Sequence, residues 1–234
     1  MADKNTTTRN RKFAIPKITS DDLDSIVNNG TVNAKLLQIV QTAAELFHQK
    51  GYASTTTRDI ANACNISPGH LYYYIKSKDD FVEIFMKIQE SDLEKWAKVV
   101  RRLMKRLPPD ELIVEIVREF IYYIHMRRNL VIFWYQAIAQ INGEQRTGIM
   151  QIEIRTIDLF KEIIELGCKT GQFHVDDPFV VACNIHAMCI TWALKRYLLK
   201  KSRTIEQYTD ICVGLVTAMV RGASDPYPQK SSPV

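Results

Sequence analysis

The stretch Ser67-Pro68-Gly69-His70-Leu71-Tyr72-Tyr73-Tyr74-Ile75-Lys76-Ser77-Lys78 decides how this chain folds and what its N-terminal part can touch. Ser67 is of the type that caps a helix, and Pro68 then falls at the first helical position, where a missing N–H costs nothing. Successive residues on a helix point roughly 100° apart, so Tyr72, Tyr73 and Tyr74 cannot all turn inward. At least one presents its ring and hydroxyl to solvent. Leu71 and Ile75, four residues apart, take the inner face toward Phe47 and Ile60. Lys76-Ser77-Lys78 forms the next connection, with Ser77 as the following cap.

Working outward, Asn33 is placed to cap a helix over 34–50, with an apolar stripe of Leu36, Ile39, Val40, Ala43, Leu46 and Phe47. Gly51 stops it. A short helix over 57–63 follows the capping candidates Thr55 and Thr56, and Cys64-Asn65-Ile66 is the turn into the helix 68–74. Two short helices joined this way have helix-turn-helix dimensions. A seven-residue helix is about 10 Å long, and its end fits a major groove roughly 12 Å wide. Pro68, Gly69 and His70 stand at the helix N-terminus, where backbone N–H groups face phosphates or base edges. Gly69 allows close approach. Tyr72 and Tyr73 offer hydroxyls to phosphates and rings to sugars and thymine methyls, and Lys78 adds charge. Double-stranded DNA is therefore the expected partner; the competing reading of the tyrosines is the edge of a core.

The residues Ala43-Glu45-Leu46-Phe47, Gly51-Tyr52, Thr55 through Ala61 and Ser67 through Asp79 together resemble the N-terminal domain of TetR-family transcriptional regulators. The likeness spans about 35–82, and its spacing holds across three helices. It implies a homodimer and a repressor on operator DNA, with a larger C-terminal domain that takes a small molecule and releases the DNA. Carried over by position, Thr57 and Arg58 open the second helix of the motif, and Ser67, Pro68, Gly69, His70, Tyr72, Tyr73, Tyr74 and Lys78 complete the expected DNA contacts. Arg58 has the geometry for a bidentate bond to guanine; on its own it also reads as part of a solvated face. Two positions depart from the pattern. Pro68 stands where some members carry a base-reading polar side chain, and Tyr74 replaces a frequent His, so the target sequence stays unread.

The chain has 234 residues and a net charge of +5, too mild to mark a nucleic-acid binder by itself. The charge is uneven: residues 1–20 hold Lys4, Arg9, Arg11, Lys12 and Lys17 against Asp3. Residues 1–30 read as a flexible basic arm, either laid along phosphates or uninvolved, and residues 224–234 as a disordered Pro/Ser-rich tail. The helix-turn-helix domain is assigned to 31–80 and the ligand-binding and dimerisation domain to 81–223. Five cysteines, an odd number without C-x-x-C spacing, read as free thiols packed in helices. No signal peptide or apolar run near 18 residues is apparent, so a cytoplasmic protein without membrane contact is expected.

The body carries helical patterns from Asp79 to about Lys105, over 110–127, 129–141 and 145–170, from Asp176 or Asp177 to about Lys200, and over 205–221. The proline pair 108–109 separates the first two. Fold class is all-α, about nine helices, with a three-helix head on a larger antiparallel body. The helix 145–170 is apolar on two sides, through Ile149, Ile152, Phe160 and Ile163 and through Met150, Ile154, Ile157 and Ile164. Arg155 within it either pairs with Asp158 or anchors an anionic ligand group. Aromatic segments around Tyr123 and Trp134, with Met188 and Trp192, read either as a pocket lining or as core. Asp177-Pro178 and Thr191 through Arg196 weakly resemble the acyl-CoA-responsive branch, which gives a hydrophobic or acyl-CoA effector as the preference. The resemblance also puts the dimer interface on the last two long helices, at Ala182, Ile185, Cys189, Val213, Val216 and Val220. No metal, cofactor or catalytic constellation is found. Two rivals remain: control by a protein partner or a role in DNA organisation without an effector, and a helical enzyme carrying a helix-turn-helix. A cavity within 110–200 would favour the effector.

Overall fold

The computed structural model describes residues 34–138 and 143–222. The basic arm, Asn33, Asn142 and the C-terminal tail lie outside the described residues. Ten helices and no strand are found among those described. The head holds α1 (Ala34–Lys50), α2 (Thr57–Ala63) and α3 (Pro68–Tyr74). The body holds α4 (Lys78–Leu103), α5 (Pro109–Met126), α6 (Arg128–Ala137), α7 (Gly143–Lys169), α8 (Pro178–Leu194), α9 (Arg196–Leu199) and α10 (Ile205–Arg221).

The boundaries follow local chemistry. Gly51 leaves α1 at φ +85°, a region that L side chains disfavour. Of the two capping candidates before α2, Thr56 is the cap. Its hydroxyl accepts from the Asp59 N–H at 3.1 Å, and the Asp59 carboxylate accepts from the Thr56 N–H at 2.8 Å, a reciprocal capping box. Thr55 is fully buried instead, and its hydroxyl donates to the Gly51 carbonyl at 2.8 Å. Asn65 takes φ 53° in the turn of the motif, which Asn tolerates better than most residues. Ser67, Ser77, Asp177 and Thr204 cap α3, α4, α8 and α10.

Two expectations are corrected. The helix expected to reach Lys200 ends at Leu194, because Lys195 leaves helical geometry at φ −111° and ψ 16° and the chain restarts as α9. No Gly or Pro marks that break in sequence. The second apolar stripe of α7 is only partly buried: Ile164 is covered, whereas Met150 and Ile154 are exposed.

Contacts along the body fix its directions. Arg155 pairs with Glu90 and Arg101 with Glu162, while Gly148 lies against Met86, so α4 and α7 run parallel away from the head. Helix α5 returns, with Phe120 stacked on Trp96 and Tyr123 beside Gln89 and Asp92. Helix α8 also returns, past Glu153 at His186. Helix α10 runs outward again, from Tyr208 beside Trp192 to Val220, whose carbonyl accepts from the His174 N–H. Phe173 closes the outer end over Gly167, where a methyl group would run into the ring.

One aromatic cluster ties head to body. Phe133 of α6 stacks on Phe47 of α1 with centroids 4.9 Å apart and also meets Tyr52 and Phe85.

Candidate functional site

The first candidate surface lies on the head. Leu71 and Ile75 are buried, as their spacing requires, in the same apolar cluster as Ile60 and Phe47. This turns Tyr72 and Tyr73 outward, at 60% and 82% exposure, and leaves Ser67, Pro68, Gly69 and His70 exposed with them. Tyr74 is half-buried, edge-on to Tyr73 at 5.3 Å and tilted against His70 at 5.6 Å. Arg58 is exposed and Thr57 half-buried at the start of α2. Of the residues picked on α2 and α3, Arg58, Ser67, Pro68, Gly69, His70, Tyr72 and Tyr73 are thus exposed. Lys78 sits differently. Its ammonium donates to the Tyr52 carbonyl at 2.9 Å and the Ala53 carbonyl at 3.2 Å, over the Tyr52 ring. It fastens the loop after α1. Asp59 is held well below the usual carboxylate range by hydrogen bonds from Thr56 and by Lys50.

The second candidate is a cavity of about 80 Å³ lined by α4, α5, α6, α7 and α8 and open to one side. Trp96, Phe120, Tyr123, Trp134 and Tyr135 form an aromatic wall, and Gln89, Asp92, Glu153, Thr156 and His186 bring polar atoms to it. The polar atoms are organised in two groups. The Tyr123 hydroxyl donates to Gln89 Oε1 at 3.0 Å and faces Asp92 Oδ2 at 3.3 Å. The same Asp92 oxygen pairs with Arg127 at 3.1 Å, and both side chains are largely covered, at 8% and 16% exposure. The second group is Glu153, which accepts from the Tyr135 hydroxyl at 2.8 Å and lies 3.7 Å from His186 Nδ1. Burial lowers the His186 pKa against the pull of Glu153, so the ring is neutral near pH 7. Burial and the adjoining carboxylates raise the pKa of both tyrosines.

Of the five residues expected to bind ligand, Tyr123 and Trp134 line this cavity. Arg155 does not. It is exposed and pairs with Glu90 rather than Asp158, because its side chain leaves α7 toward α4 and solvent. Trp192 and Met188 also lie outside the lining. The Trp192 indole N–H donates to His125 Nδ1 at 2.9 Å, and the Met188 carbonyl accepts from the Tyr208 hydroxyl. Asp92, Gln89 and Glu153 were missed in sequence, although Asp92 falls four residues from both Ile88 and Trp96, inside a buried stripe. A carboxylate at such a position needs a partner.

The proposed dimer face needs correction. Ala182, Ile185, Cys189, Val216 and Val220 are buried within a single chain, and Val213 is half-buried. They hold α8 and α10 to the rest of the chain. The same helices expose Phe179, Val180, Ile211 and Leu215 on their outer sides.

Comparison with known proteins agrees with this layout. Residues 39–83 match the bacterial regulatory proteins of the tetR family, and residues 106–220 match the tetracyclin repressor-like C-terminal domain. The HTH-type transcriptional regulator HbdR of Aromatoleum sp. (strain CIB) is 23% identical over 174 residues, covering 74% of this chain and 75% of that protein. A crystal structure of a tetR-family regulatory protein from Rhodococcus RHA1 superposes with a TM-score of 0.69 at 22% identity, over 82% of this chain and 100% of the other. AibR, solved in complex with isovaleryl coenzyme A and operator DNA, gives a TM-score of 0.64 at 24% identity, over 77% and 97% of the two chains.

Proposed function

The chain belongs to the TetR family of bacterial regulatory proteins, and from that premise we propose that it is a homodimeric repressor released from its operator by a small, largely apolar effector. Residues 31–80 serve the DNA, and residues 81–223 serve the effector and the second subunit.

The observation that carries the effector reading is the cavity between α4 and α8. Its aromatic wall provides burial for an apolar group, and Gln89, Asp92, Glu153 and Tyr135 provide polar atoms that orient it. Its size favours a compact group. An apolar cavity of roughly 150 Å³ takes benzene, so about 80 Å³ suits a short or branched chain. A relative solved with isovaleryl coenzyme A supports a short acyl thioester as one member of this class. The carrier portion of such a compound is too large for the cavity and would remain outside it.

Release requires that the effector bind the DNA-incompetent state better than the DNA-bound one. Helix α6 is placed for this. Val131, Trp134 and Tyr135 face the cavity, while Phe133 inserts beside Phe47 and Tyr52 of the head. A ligand that displaces α6 therefore moves the head, together with α4, which joins the two directly.

Native mass spectrometry of protein purified from its own cell tests the reading, followed by DNA-release measurements with any compound found and with a series of short acyl thioesters. We expect at least one compound to lower operator affinity and to lose its effect in Trp134→Ala. If no compound shifts DNA affinity, control by an effector is overturned.

A further inference from the structure

The loop between α8 and α10 has the sequence Lys195-Arg196-Tyr197-Leu198-Leu199-Lys200-Lys201-Ser202-Arg203. Five of its nine residues are basic, and no acidic residue occurs between Asp177 and Glu206. Lys195, Lys200, Lys201 and Arg203 are exposed, and among the described residues none of the four has a carboxylate partner. Arg196 is held against the body, facing His125 Nδ1 at 3.3 Å and lying over the Trp192 ring. Tyr197 and Leu198 are exposed between the charges.

The position of this loop follows from the helix directions. Helix α8 runs from Phe173 and the outer end back past Glu153 toward the head, and α10 leaves in the opposite sense. The loop joining them is therefore at the head-side end of the body. Arg128, at the start of α6, stands at the same end, where burial and the nearby Arg196 charge lower its pKa; Arg127 beside it is paired with Asp92. Positive charge thus gathers on the side of the body nearest the DNA-reading surface.

We propose that the Lys195–Arg203 loop is a second DNA contact, a phosphate-binding loop of the body that acts beside the helix-turn-helix. It rests on the DNA-binding and dimer reading above. If subunits join through the outer faces of α8 and α10, the two copies of the loop meet between the two heads, over the middle of the operator. Flexible lysines on a short loop offer charge without fixed hydrogen-bond geometry, so they contact the backbone and leave base reading to the head. Exposed Tyr197 adds a ring able to pack on a sugar face. The contribution is to affinity at every sequence.

The test uses the full chain and a duplex recovered by selection from random sequence, with an unrelated duplex beside it. Binding is followed by fluorescence anisotropy over a series of salt concentrations for the wild type and for a variant with Lys195→Gln, Lys200→Gln, Lys201→Gln and Arg203→Gln. We expect the variant to lose affinity for both duplexes by the same factor. Its plot of log K against log[salt] should flatten by roughly 0.9 for each phosphate contact removed. Replacing the three lysines by arginine should keep the wild-type slope. An unchanged slope and affinity in the Gln variant overturns the proposal, and leaves the charges to an anionic surface other than DNA. Tyr73→Ala separates this from failure of the underlying reading. If Tyr73→Ala loses operator preference while the loop variant matches the wild type, only the loop proposal falls. If the wild type binds neither duplex, both fall.

Discussion

Asp92 lies four residues from Ile88 and four from Trp96, so its carboxylate enters the body with the apolar stripe of α4 and must be neutralised there. Arg127 does this from the start of α6, over the Tyr123 ring. Removing one partner leaves a charge buried alone. Asp92→Ala should destabilise the protein by about 3 kcal/mol in urea unfolding, whereas the double change Asp92→Leu with Arg127→Met should cost clearly less. Equal losses in the two variants would contradict this. The histidines give a pH dependence. Burial lowers the pKa of both His125 and His186 from the ordinary value, with Arg196 adding to the effect at His125. Below about pH 6.5 the unfolded chain binds these protons more readily than the folded one. The stability they contribute is thus present above that pH and lost as pH falls from 6.5, about the unfolded value, through the lower folded values. Thermal melts between pH 7.5 and 5 should show Tm falling with acid, and His186→Gln should flatten the fall. The tyrosine run was legible in the sequence at this scale, because a helix has one inner face. The partners of Asp92 were not, because Arg127 comes from a different helix.

Helix α6 is ten residues long and touches both the cavity and the head. Its Trp134 and Tyr135 face the cavity, and Phe133 is wedged between Phe47, Tyr52 and Phe85. Helix α4 runs from the head into the body. The ring cluster adds α6 as a second connection, which periodicity could not show. Phe133→Ala should lower stability by about 3–4 kcal/mol. Hydrogen exchange should locate the loosening in α1, over 34–50, while α10 keeps its protection. Uniform loosening of both would mean that α6 holds the whole body and does not link it to the head. Helix limits were read well wherever a cap or a Gly marks them, as at Ser67, Ser77 and Gly51. The end of α8 at Leu194 was missed because Lys195 carries no local stop signal and the apolar pattern continues through Leu198 and Leu199.

For the whole molecule, the decisive distinction lies between the inner and outer faces of α8 and α10. Cys189 and Val216 are buried within the chain, whereas Val180 and Leu215 are about half exposed. If two subunits pack through a four-helix seam on the outer faces, Val180→Asp with Leu215→Asp should give a helical monomer in sedimentation velocity. Val216→Asp should instead lower the melting temperature of the subunit itself, by burying an unpaired charge. A dimer that survives the outer-face pair would place the seam elsewhere. By itself the sequence determined the all-α class, the helix-turn-helix and the outward tyrosines, because caps, turns and a 3.6-residue period act over a few neighbours. Both α8 and α10 were equally visible as apolar helices. Which side of each faces its own core was decided by tertiary packing alone, since an apolar residue has the same chemistry whether it is covered by its own chain or left for another. The same holds for the cavity. Its wall comes from five helices, and only their mutual directions bring Tyr123, Trp134 and Glu153 together while sending Arg155 to solvent.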